Sequence, residues 1–226
     1  MVLVEICTDN LQDTLEAIRA GADRIELCSD LDLDGLTPRG CLLQQVLPLG
    51  RAHGVPIFTM VRNRPGNFVY SNEEKHDMIQ TALRLCMYGV DGLVVGALMD
   101  DMRPDFSFME KLCNKVRTVR PDIQITFHKA IDAVHARDGE EFSEIVSEVG
   151  RYCNRVLSSG GCQTALEGTG KLRACVETNA SPIVIAAGKI REANVDQIVK
   201  LTGVSEVHSR SSTICRALNK AVRKIY

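Results

Sequence analysis

Short apolar runs alternate with helical segments along the whole chain, and this alternation limits the folds open to it more than any other feature. The eight apolar runs predict strands over residues 2–7, 23–28, 56–62, 91–96, 122–128, 154–161, 182–188 and 204–208. Runs this short and this apolar are typical of parallel strands that are covered on both faces. Eight of them in alternation with helices predict a compact (β/α)8 barrel of the TIM type.

Apolar residues at helical spacing predict the segments between the strands. Leu11, Leu15 and Ile18 repeat in this way before Gly21, and Thr37 followed by Pro38 is a favourable N-cap and first-turn pair. The predicted helices cover about 9–20, 38–53, 72–88, 105–119, 138–151, 162–178, 191–200 and 211–224.

The length of the chain suits one domain. With 226 residues, of which 45% are hydrophobic, the sequence predicts a single barrel over 1–226. A TIM-type barrel usually has about 250 residues, so the loops of this one are expected to be short. A doubly wound open sheet is the alternative, but it usually has a glycine-rich turn after the first strand, where this chain has CTDN.

Charge and hydropathy exclude several classes of partner. Lys and Arg total 27 against 29 for Asp and Glu, a net charge of −2, so there is no broad basic field for nucleic acid or an anionic membrane. No run approaches the roughly 20 apolar residues of a membrane span, and MVLVEICTDN lacks a signal region. We therefore expect a cytoplasmic protein with an ion or small metabolite as partner. The chain has nine cysteines and no CxxC pair, so we expect free thiols and neither disulfide bonds nor zinc ligands.

The parity of each strand predicts which polar side chains face the barrel interior. Glu5 and Cys7 share one parity in the first strand, and Glu26 and Cys28 repeat the pattern in the second. The charged residues predicted to face inward are Glu5, Glu26, Arg62, His128, Glu206 and His208. Most of them lie near the C-terminal ends of strands, where barrel enzymes keep their reacting groups.

Two interpretations of the inward carboxylates stay open. Neighbouring strands lie about 4.8 Å apart, so Glu5 and Glu26 are expected side by side, where repulsion raises one pKa unless Arg62 compensates both. A protonated and an ionised carboxylate, with His128 as a further proton carrier, would suit isomerase or lyase chemistry on a small substrate. The same carboxylates and Arg62 would equally form a structural ion-pair layer without chemistry.

Three segments are candidate anion sites. The first consists of Ser158, Ser159, Gly160 and Gly161. It precedes a predicted helix N-terminus, which favours phosphate or carboxylate, although a tight turn explains the same sequence. AAGKI offers a weaker cradle with Lys189. Arg62 and Arg64 would close over an anion as a short lid, or would belong to a solvated loop.

The thiols of Cys7 and Cys28 have like parity on adjacent strands, and Cys28 is expected beside Cys7. Two such thiols would hold a soft metal such as Cu(I), which prefers thiolate ligands. The alternative is that they are two small side chains that fill the barrel.

Several motifs of the chain together resemble the CutC family of copper homeostasis proteins. They run in order along nearly the whole chain as ADRIELC, GLTPRG, MVRNRPGNFVYS, DGLVVGAL, ITFHKAID, RVLSSGGCQTALEG and SEVHSRS. The resemblance implies a TIM-type barrel, a cytoplasmic location, a homo-oligomer such as a dimer or tetramer, and a role in copper handling. It places the family's barrel-mouth groups at Glu5, Glu26, Arg62, Arg64, His128, Asp132 and His208, and the thiols associated with Cu(I) at Cys7 and Cys28.

Two segments depart from the family's usual pattern. The chain has Ala186, Ala187, Gly188 and Lys189 where the family commonly has a proline and three glycines. It has RNRPGNF where the family usually has RPRGGDF, so that Asn67 replaces an acid. Neither departure touches the inward-facing set.

Three functional hypotheses follow from the sequence. The first is a copper homeostasis protein that binds Cu(I) through Cys7 and Cys28. The second is an enzyme that uses Glu5, Glu26 and His128 as acid and base groups on a small anionic or phosphorylated substrate. The third is a binding module that senses a metabolite without converting it.

Overall fold

A computed structural model describes residues 2–136, 141–178 and 181–210 of the chain, and these form one closed barrel of eight parallel strands. The strands β1 to β8 are Leu3–Thr8, Arg24–Leu27, Ile57–Met60, Gly92–Val95, Gln124–Phe127, Arg155–Ser158, Ile183–Ala186 and Glu206–Ser209. Each strand pairs with the next, and β8 pairs with β1 to close the ring. The predicted (β/α)8 barrel is confirmed.

Seven helices of the described residues surround the strands. The helices α1 to α7 are Leu11–Ala20, Gly40–His53, Asn72–Tyr88, Phe106–Val119, Phe142–Val149, Thr169–Thr178 and Glu192–Thr202. The helix predicted over 211–224 lies outside the described residues. None of the described helices has the length and apolar character needed to cross a bilayer.

The strands separate two apolar regions. Aliphatic residues of one parity, such as Val4, Ile6 and Ile25, pack with the surrounding helices in a continuous outer core. Cys7 and Cys28 belong to a smaller cluster inside the barrel, together with Phe58, Met60 and Val94. The parity predicted for β1 and β2 therefore agrees with the observed packing.

Local sequence signals fix most helix ends. The Asn10 side chain accepts the Asp13 N–H and caps α1, which ends at Gly21 with a left-handed φ of 89°. Ser71 and Glu74 form a reciprocal capping box at the start of α3. These short-range contacts hold the helices in place behind the strands.

The predicted start of α2 is wrong because Thr37 has another partner. The Thr37 hydroxyl donates to the Arg62 carbonyl and accepts the Arg62 N–H, at 3.1 and 2.9 Å. The hydroxyl thus ties the loop after β2 to the end of β3 instead of capping a helix. The helix begins two residues later than predicted, at Gly40.

The predicted start of α6 is also too early. The helix begins at Thr169, because residues 162–168 fold back against the end of β6. A Cβ atom on Gly168 would lie 1.8 Å from the Ser159 carbonyl oxygen, so this close approach requires glycine. The glycine-rich sequence therefore forms a loop, not the first turns of a helix.

The register between β1 and β2 differs from the expected one. Glu5 is paired with Arg24, and Cys7 is paired with Glu26. Strands in a barrel are tilted and staggered, so residues at like positions in two strand sequences are not neighbours. The expectation that Glu26 lies beside Glu5 in the register is wrong, and the register brings Glu26 to the thiol Cys7 instead.

Candidate functional site

Ion pairs form the floor of the barrel interior, at the N-terminal ends of the strands. Arg24 donates from Nε to Glu5 Oε2 and from Nη2 to Glu206 Oε2, each at 2.5 Å. Arg155 Nε lies 3.1 Å from Glu206 Oε1. The guanidinium carbons of Arg24 and Arg155 lie 4.9 and 5.6 Å from the centroid of the Phe58 ring. The structure thus contains an ion-pair layer, and Arg24 is its central cation.

Above this floor, His208 joins the ion pairs to a group of buried polar side chains. His208 Nδ1 lies 2.7 Å from Glu5 Oε1, and Nε2 lies 3.6 Å from Glu26 Oε2. The sulfur atoms of Cys7 and Cys28 are 3.5 Å apart. The exposed fractions of Cys7, Cys28, Glu26 and His208 are 3, 0, 4 and 8%, so the group is shielded from solvent.

Burial and neighbouring charges shift the pKa values of the two carboxyls and the imidazole. Burial alone would raise the pKa of Glu5, but the charge of Arg24 and the hydrogen bond with His208 lower it to about 2. Burial raises the pKa of Glu26 above its usual range. Burial opposes the charged form of His208, but the charges of Glu26 and Glu5 raise its pKa overall. Glu5 is therefore the ionised partner of this set.

The two thiols are held in their protonated form. The hydrogen bond with Cys28, together with burial, raises the pKa of Cys7 well above that of an ordinary thiol. The same hydrogen bond lowers the pKa of Cys28, but burial and the charge of Glu26 outweigh it and raise the value to about 11. At neutral pH both side chains are neutral unless a metal displaces their protons.

The donor set fits a soft metal ion. Cys7, Glu26 and His208 offer ligand atoms that all lie within 4.8 Å of one another. The Cys28 sulfur, beside Cys7, adds a second thiol. Thiolate sulfur and imidazole nitrogen suit Cu(I), whereas hard ions such as Ca²⁺ and Mg²⁺ take oxygen ligands.

Comparisons with known proteins show the family to which this chain belongs. The model of the CutC family matches residues 2–213. The chain belongs to the CutC family. It is 36% identical over 208 residues to the human copper homeostasis protein cutC homolog, covering 91% of this chain and 72% of that protein. It is 36% identical over 211 residues to a family protein CutC of Vibrio campbellii, covering 93% and 82%.

A solved CutC structure has the same fold. The crystal structure of the putative copper homeostasis protein CutC from Streptococcus agalactiae matches with a TM-score of 0.83 and 27% sequence identity. The match covers 92% of this chain and 98% of that chain. The two proteins therefore share the barrel fold.

In this CutC chain the Arg62 guanidinium is held by backbone carbonyls of two loops. Its Nη1 donates to the carbonyl oxygens of Leu33, Asp34 and Gly35, and its Nη2 donates to that of Gly66. Of the two arginines, it is Arg24 and not Arg62 that pairs with Glu5 among the described residues. Arg62 instead connects the loops that follow β2 and β3.

Arg64 holds its own loop in a similar way. Its Nη1 and Nη2 donate to the carbonyl oxygens of Asn67 and Val69, and its Nε lies 2.5 Å from Glu74. These contacts engage the guanidinium within its own loop, which agrees better with the loop alternative than with a lid over an anion. Asn67, which departs from the family's usual acid, also accepts from Arg64 through its side chain at 3.2 Å.

The SSGG segment surrounds an anion that the chain itself supplies. Asp132 Oδ1 accepts hydrogen bonds from Ser158 Oγ, Ser159 N and Gly161 N at 2.6, 3.0 and 2.9 Å. Asp132 Oδ2 accepts from Ser159 Oγ at 2.9 Å, and Gly160 N donates to Ser158 Oγ. The sequence pattern indicates an anion cradle, and its occupant in the structure is the Asp132 carboxylate. A phosphate or carboxylate ligand would have to displace it.

His128 and Lys189 lie apart from the interior polar group. His128 follows β5 across the barrel from β1, and its Nδ1 accepts the Ala130 N–H at 3.1 Å. Burial and the charge of Arg62 lower the pKa of His128 to about 3, so this imidazole is neutral. The imidazole that contacts Glu5 is that of His208. Lys189 is exposed and has a left-handed φ of 54°.

Sequence reasoning missed Arg24 and Arg155 as members of the interior network. Arg24 has the same parity as Glu26, two residues further on, so parity alone identifies it as inward-facing. Arg24 stands at the very start of an apolar run, where a charged residue is easily mistaken for part of the preceding loop. Arg155 stands at the equivalent place in β6, where a strand end is easily mistaken for a solvated position.

Proposed function

We propose that the protein is a copper homeostasis protein that binds Cu(I) inside the barrel, with Cys7 and Cys28 as its thiolate ligands. The single observation that carries this proposal is the 3.5 Å separation of the two sulfur atoms in a buried site. Soft thiolates in a low-coordinate, water-poor site are what Cu(I) prefers. The names of the human and Streptococcus agalactiae relatives, which refer to copper homeostasis, support the same metal.

Glu26 has the position of a proton acceptor in metal uptake. Thiols must lose their protons to bind a metal, and both thiols here have raised pKa values. Glu26 is paired with Cys7 in the register, and its raised pKa makes it a stronger proton acceptor than an ordinary carboxylate. Uptake of Cu(I) is therefore expected to release protons, with Glu26 as the first acceptor from Cys7.

His208 is proposed as an additional ligand or as a neighbour that shields the ion. Its Nδ1 is held by Glu5, which leaves Nε2 on the side of Glu26 and Cys7. A carboxylate behind a histidine fixes the ring and its tautomer in many metal sites. In this proposal Glu5 orients the imidazole and does not bind copper.

The depth of the site suits retention of copper over rapid transfer. Cys28 has no exposed surface and Cys7 is 3% exposed, so a partner cannot reach the ligands without opening the barrel mouth. We therefore propose a copper buffer. We assign it to the cytoplasm, where the thiols stay reduced, and we carry over the family expectation of one domain over 1–226 in a homodimer or homotetramer.

The acid and base enzyme has less support than copper binding. Glu5 is ionised and bound to Arg24 and His208, and His128 lies on the opposite side of the barrel. The interior holds one carboxyl with a lowered pKa and one with a raised pKa, Glu5 and Glu26, but the imidazole that contacts both is that of His208 and not that of His128.

Anaerobic titration with Cu(I) against a competing chelator tests the proposal. Cys7→Ser with Cys28→Ser is expected to abolish high-affinity binding. Cys113→Ser with Cys153→Ser removes two other buried thiols, which belong to the outer core, and is expected to leave stoichiometry and affinity unchanged. Equal Cu(I) affinity in the two double variants would refute the proposal. Light scattering on the same samples measures the oligomeric state.

A further inference from the structure

Three buried hydrogen-bond donors lie on the β3 to β5 side of the barrel mouth. They are Nε of Arg62, the hydroxyl of Tyr70 and Nε2 of His128. None of these atoms has a hydrogen bond of good geometry among the described residues, although the Tyr70 hydroxyl lies beside the Arg62 guanidinium. The hydroxyls of Thr59 and Thr126, inside β3 and β5, are also buried and unpaired within the described residues. The exposed fractions of Arg62, Tyr70 and His128 are 3, 4 and 4%. Burial of an unpaired donor is destabilising, so three together require an explanation.

Each of the three atoms carries a hydrogen at neutral pH. Nδ1 of His128 accepts the Ala130 N–H, so the proton of the neutral imidazole is on Nε2. Burial raises the pKa of Tyr70, which keeps its hydroxyl protonated. Arg62 uses Nη1 and Nη2 for loop carbonyls and keeps its Nε–H.

The donors belong to one cluster. The Phe68 ring lies 4.9 Å from the guanidinium carbon of Arg62 and 5.1 Å from the centroid of the His128 ring. The charge of Arg62 lowers the pKa of His128, and the charge of Arg62 and a side-chain contact with it oppose the rise in the pKa of Tyr70, so both residues lie within electrostatic reach of Arg62. Phe68 is half-buried and covers the cluster from the loop between β3 and α3.

The cluster carries one uncompensated positive charge. The hydrogen-bond acceptors of Arg62 are carbonyl oxygens, and within the described ranges no carboxylate lies at ion-pair distance from it. By contrast, Arg24 in the floor of the barrel contacts two carboxylates. A buried charge without a counterion is strongly unfavourable, so the cluster is complementary to a single negative charge.

We propose that Arg62, Tyr70 and His128 bind a small monocarboxylate beneath Phe68, and that each donates one hydrogen bond to the carboxylate oxygens. Two oxygens offer four lone-pair sites, enough for three donors. A carboxylate brings the one negative charge that balances Arg62, whereas a phosphate monoester brings nearly two. The His128 side of this anion site lies across the barrel from Cys7, because β5 lies opposite β1. Arg62, at the end of β3, binds the carbonyl of Gly35, a residue that lies beside Cys28.

Rotation of the Phe68 side chain gives access to the cluster. The backbone at Phe68 is fixed, since its carbonyl accepts the Leu98 N–H at 2.9 Å and Arg64 binds the flanking carbonyls of Asn67 and Val69. A ligand therefore enters past a moving ring and not through a moving loop.

Formate and acetate are suitable probes, with chloride and inorganic phosphate compared at equal ionic strength. Thermal unfolding and calorimetric titration are done on the wild type, on Tyr70→Phe and on Tyr152→Phe, a half-buried tyrosine that stacks on Phe106. Formate and acetate are expected to raise Tm saturably in the wild type and in Tyr152→Phe. Tyr70→Phe is expected to weaken carboxylate binding by about tenfold, the loss of one hydrogen bond to a charged group.

Without ligand, Tyr70→Phe is expected to unfold at no lower temperature than the wild type, because the removed hydroxyl forms no hydrogen bond of good geometry with the described residues. A lower Tm of the ligand-free variant overturns the proposal, as does equal carboxylate binding by the two tyrosine variants. Binding of phosphate alone, or a Tm shift no larger than the shift from chloride, also overturns the proposal.

NMR of ¹⁵N-labelled histidine tests the contact with His128. The Nε2 signal of His128 is expected to move with formate, and a fixed signal refutes the contact. Cu(I) titration of Tyr70→Phe stays unchanged in every case, which separates this proposal from copper binding.

Discussion

Arg24 is the residue on which the charge balance of the interior depends. It contacts Glu5 and Glu206 at 2.5 Å each, and its side chain is 3% exposed. Arg24→Met would leave two buried carboxylates short of a counterion, and we expect a loss of about 3–5 kcal/mol in the free energy of unfolding. Urea denaturation measures it.

Arg173→Met is the matched control for that experiment. Arg173 pairs with Glu177 across one turn of α6, and both side chains are more than 60% exposed. Its replacement is expected to cost less than about 1 kcal/mol. Similar losses from the two variants would show that the buried network contributes little to stability.

His128 gives the stability of the protein a defined dependence on pH. Burial and the charge of Arg62 lower its pKa from 6.5 to about 3, so between these values the unfolded chain binds a proton that the folded chain does not. Stability is therefore lost as the pH falls from 6.5 towards 3, by up to about 1.4 kcal/mol per pH unit from this group.

Denaturation of the wild type and of His128→Gln across that pH range isolates the effect. The variant is expected to lose stability less steeply than the wild type, because other groups titrate equally in both. His53→Gln, at an exposed position of α2, is expected to follow the wild type. Parallel curves for wild type and His128→Gln would contradict the assignment.

Among the elements, the turn after β6 depends on a distant carboxylate. Asp132 accepts hydrogen bonds from the side chains or N–H groups of Ser158, Ser159 and Gly161. Asp132→Asn is expected to destabilise the fold by about 2 kcal/mol, since hydrogen bonds to a charged acceptor are lost. It is also expected to speed amide exchange over residues 159–161. Asp122→Asn, whose carboxylate is largely exposed, should change neither quantity.

The elements also show what the sequence predicts well and what it does not. Apolar runs predict all eight strands, because burial on both faces demands them, and Gly21 correctly marks the end of α1. The starts of α2 and α6 could not be predicted, because Thr37 binds the end of β3 and Gly168 packs on Ser159. Such contacts depend on tertiary structure and not on local propensity.

The same distinction applies to the candidate site. Parity predicts that Glu5, Cys7, Glu26 and His208 share one interior. It does not predict their pairing, which depends on the stagger of the closed barrel. Nor does the glycine pattern of the SSGG segment reveal its occupant, since Asp132 lies 27 residues from Ser159 along the chain.

For the molecule as a whole, copper binding is expected to stabilise the closure of the barrel. The proposed ligands come from β1 and the end of β2, and His208 comes from β8, so the ion would bridge the seam between the first and last strands. Cu(I) is expected to slow amide exchange in β8 more than in β4, which contributes no ligand. Hydrogen exchange with and without Cu(I) measures this, and uniform slowing in both strands would contradict it.

The seam also sets the order in which the site can mature. Cys7 and Cys28 are 21 residues apart, whereas Glu5 and His208 are separated by 203. At a synthesis rate of about 5–20 residues per second, both thiols are synthesised roughly 9–36 s before the histidine. With the proposed ligands, a nascent chain would therefore meet copper with its two thiols alone, and only the finished barrel would enclose the ion.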